Sequence, residues 1–234
     1  MDDSRIYEIG HTSAVASTQT QYRVLRNTYW LLAVSMVPSV FGAWIGVSTG
    51  FSLFTITSPI ISFLAFLAIS VSFMLAIERT KNRAMGVYVL LGFTFFMGLM
   101  LSRLLSFILG FTNGTSLIMM AFGGTSLIFA IMATIATVSK HDFTSLGKWL
   151  FVGVLVLLLA SAANIFLQIP ALILTASVLA IIIFSAYILL DVQRVVKGGE
   201  TNYISATLMI YLDLYNVFTN LLALLGIFGE NRDS

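Results

Sequence analysis

The stretch LLDVQRVVKGGETNYISATLMIYLD, residues 189–213, contains two aspartates, Asp191 near its start and Asp213 at its end, and a polar turn, KGGETN, between them. IIIFSAYILL at 181–190 leads into Asp191, and LYNVFTNLLALLGIF at 214–228 leads away from Asp213. Each run, with its neighbours, is long enough to cross about 30 Å of hydrocarbon as a helix. The stretch therefore reads as the hairpin between two membrane-spanning helices. An ionised carboxylate in such a helix costs about 2.5–3.5 kcal/mol on insertion scales. The chain accepts that cost twice, so the acids need a reason.

Composition extends the membrane reading to the whole chain. Of 234 residues 59% are hydrophobic and 9% charged, whereas soluble domains carry about 25% charged residues. Too little polar surface is available to cover a water-soluble globule. The cations are scattered through short gaps rather than gathered on one face, which excludes nucleic acid as a partner. There is no cysteine, so disulfides and thiolate metal sites are excluded. His11 and His141 lack spaced partners for a metal. No nucleotide, haem or flavin motif is present, and no resident cofactor is expected.

Seven apolar runs reach spanning length: 28–49, 54–77, 84–109, 115–138, 149–168, 171–193 and 204–228. The fold expected is an all-α, seven-helix transmembrane bundle occupying 28–228. A polar N-terminal tail, 1–27, precedes it, and a short tail, 229–234, follows. Pro170 suits the first turn of the sixth helix, where a missing N–H costs little. Pro38 and Pro59 are expected to kink or start helices one and two. Glycines 86, 92, 98, 123 and 124 are read as close-packing positions. Trp30, Trp44 and Trp149 are read as interfacial anchors.

Seven spans put the N-terminal tail and the second, fourth and sixth gaps on one side. That side holds ten of the twelve Lys and Arg residues, all but Arg103 and Arg232. The positive-inside rule makes it cytoplasmic and places the C-terminus outside.

Asp191 and Asp213 each lie eleven residues from Asn202. Equal distance from the turn predicts similar depth, about 10–15 Å inside the helix ends. The two can then face each other, and repulsion favours their sharing one proton. Asn216 and Asn220 continue the face of Asp213 along a polar stripe. Tyr187 and Arg194 share the face of Asp191, and Arg79 at the end of span two is a third candidate partner. Three uses fit: a proton-sensitive cation path, intramembrane aspartyl proteolysis, or a bundle whose tail binds another membrane protein. A purely structural Asp191–Arg194 pair is the plain alternative.

YILLDV at 187–192 and YLDLYNVF at 211–218 resemble the sixth- and seventh-helix signatures of the Bax inhibitor family. RVLRNTY at 23–29, GGTSLIF at 123–129, NIFLQIPAL at 164–172 and GGETNYI at 198–204 resemble its bacterial YccA-like branch. The resemblance runs from about residue 20 to the end. It implies a bundle with the seventh helix central and surrounded by the other six. It also implies a pH-dependent calcium leak in which Asp191 and Asp213 are the proton-sensing pair, with calcium bound only in transit. Arg79 is the nearest match to an arginine that takes part in the latch. For the YccA-like branch it implies a bacterial inner-membrane protein that restrains the AAA protease FtsH through a cytoplasmic tail, here 1–27. Proteolysis is disfavoured, because intramembrane aspartyl proteases use GxGD and this chain has IYLD at 210–213. The protein is not expected to be an enzyme.

Overall fold

The computed structural model describes residues 3–51 and 58–233, which form seven helices and no strand. They are α1 Asp3–Thr49, α2 Pro59–Thr80, α3 Met85–Leu109, α4 Gly114–Val138, α5 Leu146–Leu167, α6 Pro170–Val196 and α7 Tyr203–Asp233. Each contains an apolar segment long enough to cross a membrane, which in α1 begins at Gln21 and in α7 ends at Gly229. The protein is a seven-helix membrane bundle.

The helix ends follow local chemistry. Ser58 caps α2 by accepting a hydrogen bond from the Ile61 N–H, and Pro59 takes the first helical position. Helix α2 thus starts at Pro59, and the expected start at 54 falls outside the described residues. Pro170 opens α6 as its missing donor predicts. Pro38 lies inside α1, which runs through it without a break. At the C-terminus of α6 the N–H groups of Gly198 and Gly199 return to the Val195 and Arg194 carbonyls, at 3.2 and 2.8 Å. This left-handed turn requires φ of +76° at Gly198, which glycine adopts freely.

Two segments expected as tails are helical. Helix α1 is one 47-residue rod that includes most of 1–27, and α7 continues into 229–233.

Helix α7 occupies the centre, packed against α1, α2, α3, α4 and α6. Ile204, Ile210, Tyr211, Val217 and Leu222 from α7 are fully or almost fully buried. Helix α5 departs from the expected ring of six, because it packs chiefly on α6 and stands outside. Its apolar residues run all round, and Leu157 alone among its described residues is buried. Lipid solvates such a helix as well as protein does.

The tightest crossing is α1 on α3. A Cβ on Gly98 would lie 2.0 Å from the Ser39 carbonyl oxygen, and one on Gly42 would lie 2.2 Å from that of Phe95. Gly46 approaches Ser102 as closely. Gly98 and Gly86 are contact glycines as expected, while Gly123 has open space around it. Gly42 and Gly46 are an addition. Across this crossing the Tyr211 hydroxyl meets Ser39 Oγ at 2.8 Å, and Tyr215 donates to the Met97 carbonyl at 3.2 Å.

Candidate functional site

Asp191 and Asp213 project from neighbouring helices, are both buried, and lie within electrostatic range of each other. The route to that arrangement differs from a symmetric hairpin. Helix α6 ends at Val196, five residues after Asp191, whereas α7 starts at Tyr203, ten before Asp213. For the two acids to lie at one depth, the start of α7 stands about 7 Å beyond the end of α6, at 1.5 Å per residue. Residues 197–202 span that offset.

Asn202 holds the raised end of α7. Its side-chain oxygen accepts from the Ile204 and Ser205 N–H groups at 2.9 and 3.2 Å, capping the helix. Its amide nitrogen donates to the Lys81 carbonyl and to Asn82 Oδ1, both at 3.0 Å. The α2–α3 connection therefore fixes the height at which Asp213 enters.

The two acids have different surroundings. Arg194 Nη1 donates to Asp191 Oδ1 at 3.1 Å, from a guanidinium 40% exposed to a carboxylate 5% exposed. The Arg194 carbonyl accepts from Gly199 and Glu200, which secures the residue that carries the cation. Glu200 acts on Asp191 as a like charge from the connection. Asp213 lies deeper along its helix, and its Oδ2 is buried without a hydrogen-bond partner. Tyr187, half-buried, lies within electrostatic range of both acids and of Arg194.

The remaining expected partners stand apart. Asn216 and Asn220 donate their amides to carbonyls one turn back in α7, Leu212 and Asn216, each at 2.8 Å. Those groups satisfy their own helix rather than the acids. Arg79 is exposed at the end of α2 and forms no ion pair with either aspartate. The cation bonded to Asp191 is Arg194, one turn along α6. The structural pairing of Asp191 with Arg194 and the proximity of the two acids coexist.

Gln193 is a positioning residue absent from the expectations. It is buried, accepts from the Phe143 N–H at 2.8 Å and donates to the His141 carbonyl at 2.9 Å. Lys197 also donates to the His141 carbonyl and pairs with Asp142 at 3.7 Å. The Thr144 hydroxyl and N–H hold the Asp142 carboxyl below its ordinary value, with Lys197 adding to the effect. The α4–α5 connection is thereby fastened to the last turn of α6. A glutamine between the acid and the arginine of DVQRV, 191–195, was the only available signal.

Among the described residues no three acidic or histidine side chains gather into a metal site. The pair offers four carboxylate oxygens, fewer than the six to eight calcium takes.

A membrane protein of Vibrio cholerae is 34% identical over 94% of this chain and 96% of its own length. The modulator of FtsH protease YccA of Escherichia coli K12 is 36% identical over 90% of this chain and 92% of its own. A Pseudomonas aeruginosa protein is 33% identical over 93% and 95%. Residues 21–230 match the family described as inhibitor of apoptosis-promoting Bax1, and the chain therefore belongs to the Bax inhibitor family.

Proposed function

We propose that the protein is a multi-pass bacterial inner-membrane protein that leaks cations, calcium foremost, through a path latched by Asp191 and Asp213. The observation that supports this reading is the approach of two buried carboxyl groups across α6 and α7. With one proton between them they hold the two helices together. Ionised, they repel by about 4 kcal/mol at 4 Å and an effective dielectric of 20. Helix α7 is then pushed from α6, and the freed oxygens face a passing ion. Backbone carbonyl groups and water would complete its shell, loosely enough for departure. The chemistry is non-enzymatic. The basic end, with residues 1–27, faces the cytoplasm and the C-terminus faces outward.

In proteoliposomes calcium flux is expected to rise with pH near neutrality. Asp213→Asn, which cannot ionise, is expected to abolish that dependence. A profile unchanged in this variant would remove the latch.

A second reading is favoured by the likeness to the Escherichia coli modulator of FtsH protease. In it the cytoplasmic segment 1–27 engages FtsH and restrains it, whether or not ions pass. Deleting residues 1–20 is then expected to shorten the half-lives of FtsH membrane substrates. Equal half-lives with and without the segment would count against it.

A further inference from the structure

Two open grooves at the basic end meet at one residue. The first, about 550 Å³, runs between α1 and the start of α7, lined by Arg26, Asn27, Trp30, Leu31, Val34 and Tyr203. The second, about 450 Å³, lies between the α2–α3 and α6–α7 connections. Lys81, Asn82, Arg83, Thr201 and Asn202 line it, with Tyr203 again. The aspartate pair has no part in either.

Charge in the grooves is unevenly compensated. Lys81 is bonded to Glu78 and also feels Glu200, and hydrogen bonding to Glu78 holds its proton more firmly than usual. The Asn202 amide is committed to the α2–α3 connection. Arg26 and Arg83 are exposed, one in each groove, and neither has an ion-pair partner among the described residues. Two guanidiniums thus line the grooves that meet at Tyr203, neither ion-paired among the described residues.

The first groove is graded along its length. Arg26, Trp30 and Val34 fall four residues apart, on one stripe of α1, about 6 Å per step. Going inward, a guanidinium gives way to an indole 69% exposed, then to an aliphatic side chain 44% exposed, above a buried Leu31. Cation, amphipathic aromatic and hydrocarbon in that order reproduce the polarity of one bilayer leaflet. A free phosphate would engage the guanidiniums and leave the apolar half of the groove uncovered.

We infer that the grooves meeting at Tyr203 bind one anionic phospholipid, its phosphate between Arg26 and Arg83 and an acyl chain along Trp30, Leu31 and Val34. Guanidinium suits phosphate oxygens through paired N–H donors. A zwitterionic lipid brings no net charge to neutralise the two cations.

The full chain in detergent is incubated with phosphatidylglycerol or phosphatidylcholine, and retained lipid is counted by native mass spectrometry. One phosphatidylglycerol per chain is expected to survive, and phosphatidylcholine to dissociate. R26Q/R83Q is expected to weaken retention about thirtyfold, from roughly five- to sixfold per charge near a membrane surface. Lys140→Gln, an exposed cation at the same end outside both grooves, is expected to change nothing. Equal loss in that control overturns the site in favour of general attraction to a basic surface. Equal retention of phosphatidylcholine overturns it in favour of an apolar face coated by any lipid. Displacement by inorganic phosphate at the potency of the lipid overturns it in favour of an ion site. If R26Q/R83Q unfolds on purification, R26K/R83K keeps both charges and is expected to retain the lipid. Loss of retention in that folded variant overturns the charge assignment.

Discussion

Arg194 touches Asp191 from the polar end of α6, while Asp213 keeps one oxygen without a partner. Removing a cation 3.1 Å from a carboxylate favours the neutral form of that carboxylate. In the proposed latch the neutral form is the closed one. Arg194→Gln is therefore expected to move the rise in calcium flux to higher pH, read as a displaced flux-against-pH curve in proteoliposomes. A shift to lower pH, or none, would contradict the ordering of charges. Gln193 acts differently, since both ends of its amide are used on backbone groups of the α4–α5 connection. Gln193→Leu leaves those groups unpaired and is expected to cost about 1–3 kcal/mol. Hydrogen exchange at residues 141–143 should accelerate while the far end of the bundle stays protected.

Helix packing sets the next scale, and its decisive contact is α1 on α3. Backbone carbonyls stand where a Cβ on Gly42 or Gly98 would go, and backbone cannot step aside as a flexible side chain can. Gly98→Ala is expected to destabilise the protein by about 1–3 kcal/mol, the usual range for overpacking. Gly123→Ala, with open space around it, is expected to leave the thermal midpoint unchanged or slightly raised. The α4–α5 connection carries a pH signature of its own. The Asp142 carboxyl is held below its ordinary value by Thr144 and Lys197. Its contribution is fully present above the ordinary carboxylate value and is lost as pH falls from there through the lowered folded value. Exchange at residues 142–144 should show this acid-side loosening, and Asp142→Asn should show it already at neutral pH.

For the whole molecule, the alternation of polar gaps makes orientation testable without background, because the chain has no cysteine. A cysteine at Lys140 or Lys197 is expected to react with an impermeant maleimide only from the cytoplasmic side, and one at Asn113 only from the opposite side. Labelling of both sets from one side would refute the proposed topology. The two faces of the bundle also differ in consequence. Helix α5 stands outside on α6, so substitutions on its lipid face should be tolerated more readily than those on α7, which meets five helices.

Span number, most span limits from the third helix onward to within a few residues, the basic end and the two acids were legible in the linear chain. Hydrophobic length, punctuation by Pro and Gly, and charge asymmetry are local or additive properties, and they survive without coordinates. The same is true of Pro170 opening α6. The positions of α5, Gly42 and Gly46, Gln193 and Arg79 were not legible, because each depends on which neighbour a helix meets. An apolar helix carries no mark of whether its partner is protein or lipid, since both solvate it alike. Equal spacing from Asn202 also concealed a hairpin offset by about 7 Å. Asn202 also bonds to the α2–α3 connection, residues more than a hundred positions away, a contact no local pattern announces. Sequence determined that two acids enter the membrane; tertiary structure decided that both are buried on adjoining helices, and that Arg194 rather than Arg79 bonds to Asp191, because those contacts depend on how the helices pack.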